Sequence, residues 1–307
     1  MKNENVKNKK KKFRLSVSSW ILLVLLTIYA FSMVYLFLWG IGTSLKDHRN
    51  FLADPVGILP KGAPWEWAWS NYATVVKSFE VDAITPEGLT VYVGIDWQIV
   101  YTLLYAGGGA FVTTAACCIV GYMVSKFNYV FSRIVYTTVL VTMVIPVIGA
   151  APSMVIFLRD LGLYDNYIGT YLMKFNFLSV YFLLVHASYV RISPEFSEAA
   201  TIDGASELQI FTRIMIPMVM PTLSAIFLIY FIQYWNDYQT ALLYMPSHPT
   251  LAYGVYYAAL GNRDNSIARS DTFRLASCMI MALPILALFI ALRDKIMGNV
   301  TAGGVKE

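Results

Sequence analysis

The sequence is short of charge. Only 14% of its 307 residues are Asp, Glu, Lys or Arg, against 57% hydrophobic residues, and that balance excludes a water-soluble domain of this size. Cysteine is scarce too. Cys117, Cys118 and Cys278 show neither metal-ligand spacing nor a disulfide framework, and all three fall inside apolar runs, where they read as packing residues. None of the 19 glycines is followed by Lys-Ser or Lys-Thr, so the phosphate-binding loop of ATPases is missing. No nucleophile elbow, zinc-binding helix motif or dinucleotide fingerprint occurs either. The chain is therefore not expected to be an enzyme, to bind ATP itself, or to hold a metal. Its apolar runs also contain almost no carboxylates, which a proton-coupled carrier needs.

What the chain has in abundance is apolar length. A membrane-crossing helix needs about 20 apolar residues to span a hydrocarbon core of about 30 Å. Six stretches qualify, at about 17–43, 97–125, 134–158, 167–190, 218–243 and 272–292. They predict an all-α integral membrane protein with six transmembrane helices in one bundle. A β-barrel is excluded, because its strands alternate and are about 10 residues long. The expected organisation is a basic tail over 1–16, a first span over 17–43, an external segment over 44–96, a core over 97–292 and a short tail over 293–307. The tail carries Lys2, Lys7, Lys9, Lys10, Lys11, Lys12 and Arg14 against one acid, Glu4, which anchors the N-terminus in the cytoplasm. No folded basic surface accompanies it, so nucleic acid is not an expected partner. The first span reads as an uncleaved signal-anchor, because its apolar run is too long for a signal peptide and no small-residue cleavage site closes it. Six crossings bring the C-terminus back to the cytoplasm. Lys126, Arg133, Arg191, Arg213, Arg293 and Lys295 then fall on the same side.

Between the fourth and fifth spans lies a polar segment, 191–217, whose punctuation predicts two short helices. Ser193 can cap a first helix, Pro194 suits its first position, and Glu195 complements the helix dipole. Asp203-Gly204 supplies a turn, Ser206 and Gln209 are spaced as a capping box, and Pro217 is expected to end the second helix. Glu198-Ala199-Ala200, Gly204, Ile214 and Pro217 resemble the E-A-A, three residues, G, nine residues, I-x-L-P signature of ATP-binding-cassette importer permeases, with Ile216 where the pattern prefers Leu. The resemblance implies that this bracket is a coupling loop seated in a separate ATPase, with Glu198, Ala199, Ala200, Asp203, Gly204, Ala205 and Pro217 at the contact.

Two further blocks resemble the carbohydrate-uptake, maltose-type branch of that family. Trp235-Asn236-Asp237 is similar to its W-N-D/E element, and the ending Thr301-Ala302-Gly303-Gly304-Val305-Lys306 to its T-A-G-A/G-V-K tail. A weaker likeness lies in Leu59-Pro60 followed by Asn71-Tyr72. The resemblance implies a type I importer permease of a bacterial cytoplasmic membrane. Its expected partners are a second permease, two ATPase subunits holding ATP and Mg, an extracytoplasmic solute-binding protein, a sugar substrate and the lipid bilayer. The tail, at Gly303, Gly304 and Lys306, becomes a candidate second ATPase contact, with fraying as the alternative. Rival readings are a same-superfamily permease for a non-sugar solute and an ATPase-independent carrier or channel.

Several membrane residues invite a role. Tyr230, Gln233, Tyr234 and Asn236 offer aromatic faces and amides, the chemistries that hold sugars, with bundle packing as the alternative. Gly107-Gly108-Gly109 permits close approach to the second span, and Pro146 with Gly149 and Pro152 suggests a kinked or unwound third span. Lys174 is expected to snorkel to the interface, and His186 to serve as a satisfied interhelical donor. Trp65, Trp67, Trp69 and Tyr72 suit the headgroup level, or contact with a binding protein or sugar. The segment 244–271 is polar enough to be solvated or to receive a binding protein, and Pro284 predicts a kink in the last span.

Overall fold

The computed structural model describes residues 16–85, 88–127, 129–145, 149–260 and 270–301. The basic N-terminal run and the tail residues Gly303, Gly304 and Lys306 lie outside them. The chain runs α1 (Val17–Ser44), α2 (His48–Ala53), α3 (Ser70–Ser78), β1 (Glu80–Ile84), β2 (Thr90–Gly94) and α4 (Ile95–Lys126). It continues α5 (Val130–Val144), α6 (Ala150–Asp160), α7 (Tyr167–Lys174), α8 (Val180–Val190), α9 (Glu195–Ile202) and α10 (Glu207–Ile210). The last elements are α11 (Ile216–Trp235), α12 (Tyr238–Tyr244), α13 (Leu251–Leu260) and α14 (Asp271–Thr301).

Among the described residues four helices are long and apolar enough to cross a membrane: α1, α4, the continuous Glu207–Trp235 rod, and Asp271–Ala291 within α14. The stretches 134–158 and 167–190 are each folded as two helices. The first breaks after Ile145, which precedes Pro146 and takes the extended backbone a following proline favours, and it resumes after Gly149 at φ +82°. The second breaks at 175–179, where the Asn176 side chain accepts the Leu178 N–H at 2.8 Å and offers the backbone an alternative to the helix. α14 continues through Pro284.

α4 is the central post. It packs along α11 and α8, and its buried Ala110, Cys117 and Cys118 join Phe182, Tyr189, Val219 and Ile226 in the main core. Lipid tails are as apolar as these side chains, so close packing and polar pairing, rather than expulsion from water, hold such helices together. α1 is the opposite case. Its most apolar window has mean hydropathy 2.5 and is entirely unburied, an all-round apolar surface suited to lipid or another chain. Only its last turn is enclosed. There the Asn71 amide donates to the carbonyls of Ser44 and Lys46 at 2.8 and 2.9 Å, and Tyr72 shares a 2.7 Å bond with the Ser44 hydroxyl. The Asn71-Tyr72 pair thus fastens α3 to the end of α1. Trp65 is 80% exposed, while Trp67 and Trp69 stack with ring centroids 6.5 Å apart.

The expectation of an all-helical chain holds for the membrane part and needs one correction outside it. β1 and β2 form an antiparallel hairpin, with Val81 opposite Val93 and Ala83 opposite Val91. Alternating burial along β1 gives the hairpin a reason to exist: Val81 and Ala83 face inward and Glu80 and Ile84 outward. The hairpin and α3 mark one end of the bundle, and α9–α10 mark the other. A second correction concerns 244–260, whose α13 buries Leu251, Ala252 and Gly254 against the bundle instead of lying in solvent. His248 there is wedged between the rings of Tyr101 and Tyr167, with its Nδ1 3.4 Å from Asp165.

Candidate functional site

At the bracket end, Ser193 accepts the Glu195 N–H at 3.4 Å and α9 begins. Its other end closes in a double turn. The Gly204 N–H bonds the Thr201 carbonyl at 3.0 Å, and the Ala205 N–H reaches back to Ala200 at 2.9 Å, with Gly204 at φ +82°. This is the pairing that a left-handed residue after a helix makes possible, and a side chain there is strained even in open space. Asp203 closes the helix just before it. Ser206 and Gln209 then form the expected capping box, the Ser206 N–H donating to the Gln209 side chain at 2.8 Å. Glu198, Ala199, Asp203 and Gly204 are exposed, Ala205 is half-buried, and Ala200 is tucked inward. Ile202, 86% exposed, and Leu208, 69% exposed, stand out from the bracket as bare apolar side chains.

The bracket does not end at Pro217. α10 passes through a single π turn, Phe211–Met215, into α11, so Glu207–Trp235 is one rod. The Ile216 N–H bonds the Phe211 carbonyl across the π turn, and Pro217, which has no N–H to add to the ladder, follows directly after that turn. With 29 residues the rod is about 43 Å long. It links the bracket to the hairpin end of the bundle.

At that far end α11 stops at Asn236, and Asp237 caps α12 by accepting the Thr240 N–H at 3.1 Å. The other Asp237 oxygen collects three donors: Tyr105 hydroxyl at 2.5 Å, Thr240 hydroxyl at 2.6 Å and Lys174 Nζ at 3.3 Å. Lys174 also lies 4.6 Å from the centre of the Tyr234 ring. Its side chain is 18% exposed and turned inward, so the expectation that it snorkels to the interface is corrected. A charge among apolar helices needs a partner, and Asp237 supplies it.

The four residues considered for sugar contact are divided between two environments. Tyr230 is buried and donates to the Ser179 hydroxyl at 2.9 Å, and the Tyr234 hydroxyl shares a 2.9 Å bond with Thr113. Their rings stack 5.8 Å apart. Gln233 and Asn236 are exposed on the same helix. The glycines of α4 let aromatic rings, rather than another backbone, come close. A Cβ at Gly108 would meet the Tyr171 hydroxyl at 2.3 Å and its ring at 2.4 Å, and one at Gly109 would meet the Tyr234 ring at 3.0 Å. His186 packs its ring 5.0 Å from that of Tyr136 and has no hydrogen-bond partner among the described residues, unlike the satisfied donor expected. The sequence reading named Lys174 and Asp237 separately and missed Tyr105, Thr113 and Thr240, whose roles exist only across helices.

Residues 118–302 match the family described as binding-protein-dependent transport system inner membrane component. The chain is 23% identical over 282 residues to the diacetylchitobiose uptake system permease protein NgcG of Streptomyces coelicolor, covering 91% of this chain and 86% of that one. It is 22% identical to the trehalose/maltose transport system permease protein MalG of Thermococcus litoralis, over 91% and 94% of the two chains. Its fold is similar to that of a chain in the crystal structure of a bacterial ABC transporter involved in import of the acidic polysaccharide alginate. There the TM-score is 0.72 and the identity 21%, over 92% of this chain and 98% of the other. With the family match spanning more than half the sequence and including the bracket, the chain belongs to the binding-protein-dependent transport system inner membrane components.

Proposed function

We propose that the chain forms half of the translocation path of an ATP-driven oligosaccharide importer in a bacterial cytoplasmic membrane. In this reading both termini and the bracket are cytoplasmic, and the two broken stretches complete six crossings. A second permease supplies the other half of the path, two ATPase subunits hold ATP and Mg, and a solute-binding protein delivers the sugar at the hairpin end. The chain itself is no enzyme.

The observation that carries this reading is the geometry of the bracket. A helix closed by Gly204 and a second helix opened by the Ser206–Gln209 box present Ile202 and Leu208 bare to the cytoplasm. Burying each of these in a partner's cleft is worth about 1.5–3 kcal/mol. The helix that carries Leu208 is continuous with α11, so displacement of the bracket by a closing ATPase dimer is delivered along a rod to Asn236 and Asp237. Alternating access follows when that rod and its counterpart in the partner permease move together. Gln233 and Asn236 are the exposed amides that can meet sugar hydroxyls, Asn236 through its carbonyl oxygen because its Nδ2 donates to the Ile232 carbonyl at 2.8 Å, and Tyr230 and Tyr234 hold the wall behind them.

The test is uptake by a strain lacking this chain, with labelled neutral oligosaccharides, oligouronates, amino acids and peptides supplied in parallel. Loss of oligosaccharide uptake alone, restored by the intact chain, supports the reading. Loss of amino acid or peptide uptake instead assigns the chain to another solute.

A further inference from the structure

A cavity of about 340 Å³ opens at the bracket end, between the last turns of α4, the first turns of α5 and His186 in the second half of α8. Its volume falls within the range of small-ligand sites. Its polar lining is one-sided. The Arg133 guanidinium, the phenols of Tyr129 and Tyr136 and the imidazole of His186 all border it, and no carboxylate does. None of these four side chains has a hydrogen-bond or ion-pair partner among the described residues. The Ser132 hydroxyl, also in the lining, already donates to the Phe127 carbonyl at 2.6 Å. The rings are held in place: Tyr129 stacks on Phe127, and Tyr136 lies 5.0 Å from His186.

Four side chains that can donate, one of them a fixed positive charge, line a cavity bordered by no acid. We propose that this cavity binds a phosphate ester. A guanidinium fork matches phosphate oxygens two at a time, and the phenol O–H groups and an imidazole N–H can donate to the remaining oxygens. The rim favours the membrane as the source. Val130 and Phe131 beside it are 78% and 72% exposed, an apolar border along which acyl chains can lie. With the bracket end cytoplasmic, the ligand is an anionic phospholipid of the inner leaflet, where basic pockets between helices meet such headgroups. The site does not depend on which solute the importer carries.

The test uses the purified full-length chain in mild detergent and native mass spectrometry. Phosphatidylglycerol, phosphatidylcholine and soluble glycerol phosphate are the separate probes. The expected result is that phosphatidylglycerol binds about tenfold more tightly than phosphatidylcholine, and that Arg133→Gln removes this preference while Arg133→Lys keeps part of it. Tyr136→Phe and Tyr129→Phe, which delete only a hydroxyl, weaken it further if the arginine variant does not fold. Binding of glycerol phosphate with the same dependence on Arg133, without lipid preference, assigns the site to a soluble phosphate ester. Equal binding of both lipids by the intact chain, together with no binding of glycerol phosphate, overturns the proposal.

Discussion

Lys174 and Asp237, 63 residues apart in the chain, meet at 3.3 Å and join two helix breaks. Lys174 ends α7 just before the non-helical turn at 175–179, and Asp237 sits in the gap between α11 and α12. Each gap lets a side chain turn inward where a continuous helix would carry it elsewhere. The pair therefore ties the far end of the rod to the neighbouring broken stretch, and Tyr105 of α4 completes the tie.

Breaking that pair on one side leaves a charge stranded. Asp237→Ala is expected to destabilise the chain by about 3–5 kcal/mol, whereas Lys174→Met combined with Asp237→Leu recovers most of the loss. Unfolding of the purified chain in detergent reads both. An Asp237→Ala variant as stable as the parent contradicts the structural role of the pair.

Gly204 has φ +82°, and nothing lies within 4 Å of an added Cβ, so the cost of a side chain there is conformational. Gly204→Ala is expected to strain the turn by about 1–2 kcal/mol and to lower ATP-driven uptake. Gly204→Asn, which tolerates the left-handed region, is expected to retain more. Uptake measured at matched membrane content checks the order; equal uptake by glycine, asparagine and alanine forms rules out the turn as the critical feature.

The amides of α11 are expected to separate from its phenols. Gln233→Ala and Asn236→Ala should lower sugar uptake while changing stability by less than about 0.5 kcal/mol, because both side chains are exposed. Tyr230→Phe leaves the Ser179 hydroxyl without its donor and should cost about 0.5–1.5 kcal/mol. Paired uptake and melting measurements distinguish them. Full uptake by the double amide variant removes Gln233 and Asn236 from the path.

Asn71 holds α3 against α1 through two carbonyls. Asn71→Ala is expected to cost about 1–3 kcal/mol and to expose the 54–69 loop to protease in intact cells or spheroplasts. Unchanged cleavage contradicts this fastening.

The bracket could be read from the sequence because its determinants are local. Gly204 and the Ser206–Gln209 box act over four residues or fewer, and the structure places them as expected. Pro217 was misread as a stop because proline ordinarily ends a helix, and a π turn upstream is not written in composition. The tie between Lys174 and Asp237 was hidden for the opposite reason, that its partners come from separate helices. A signal existed all the same: the six apolar stretches contain only Lys174, Asp237 and Arg274 as charged residues, and the first two are of opposite sign. The hairpin was also announced, by alternating Val81 and Ala83 before the sequence Pro-Glu-Gly, and Val91 and Val93 after it. A search for apolar length passes over such short alternation.

The central claim is that the bracket couples this chain to an ATPase. Its most direct measurement is recovery of the tagged chain from its native membrane in mild detergent, with mass spectrometry of what accompanies it. The account predicts an ATP-binding-cassette ATPase and a second permease with the intact chain, and loss of the ATPase from Gly204→Asp. A chain that comes down alone, and transports in vesicles without ATP, contradicts it.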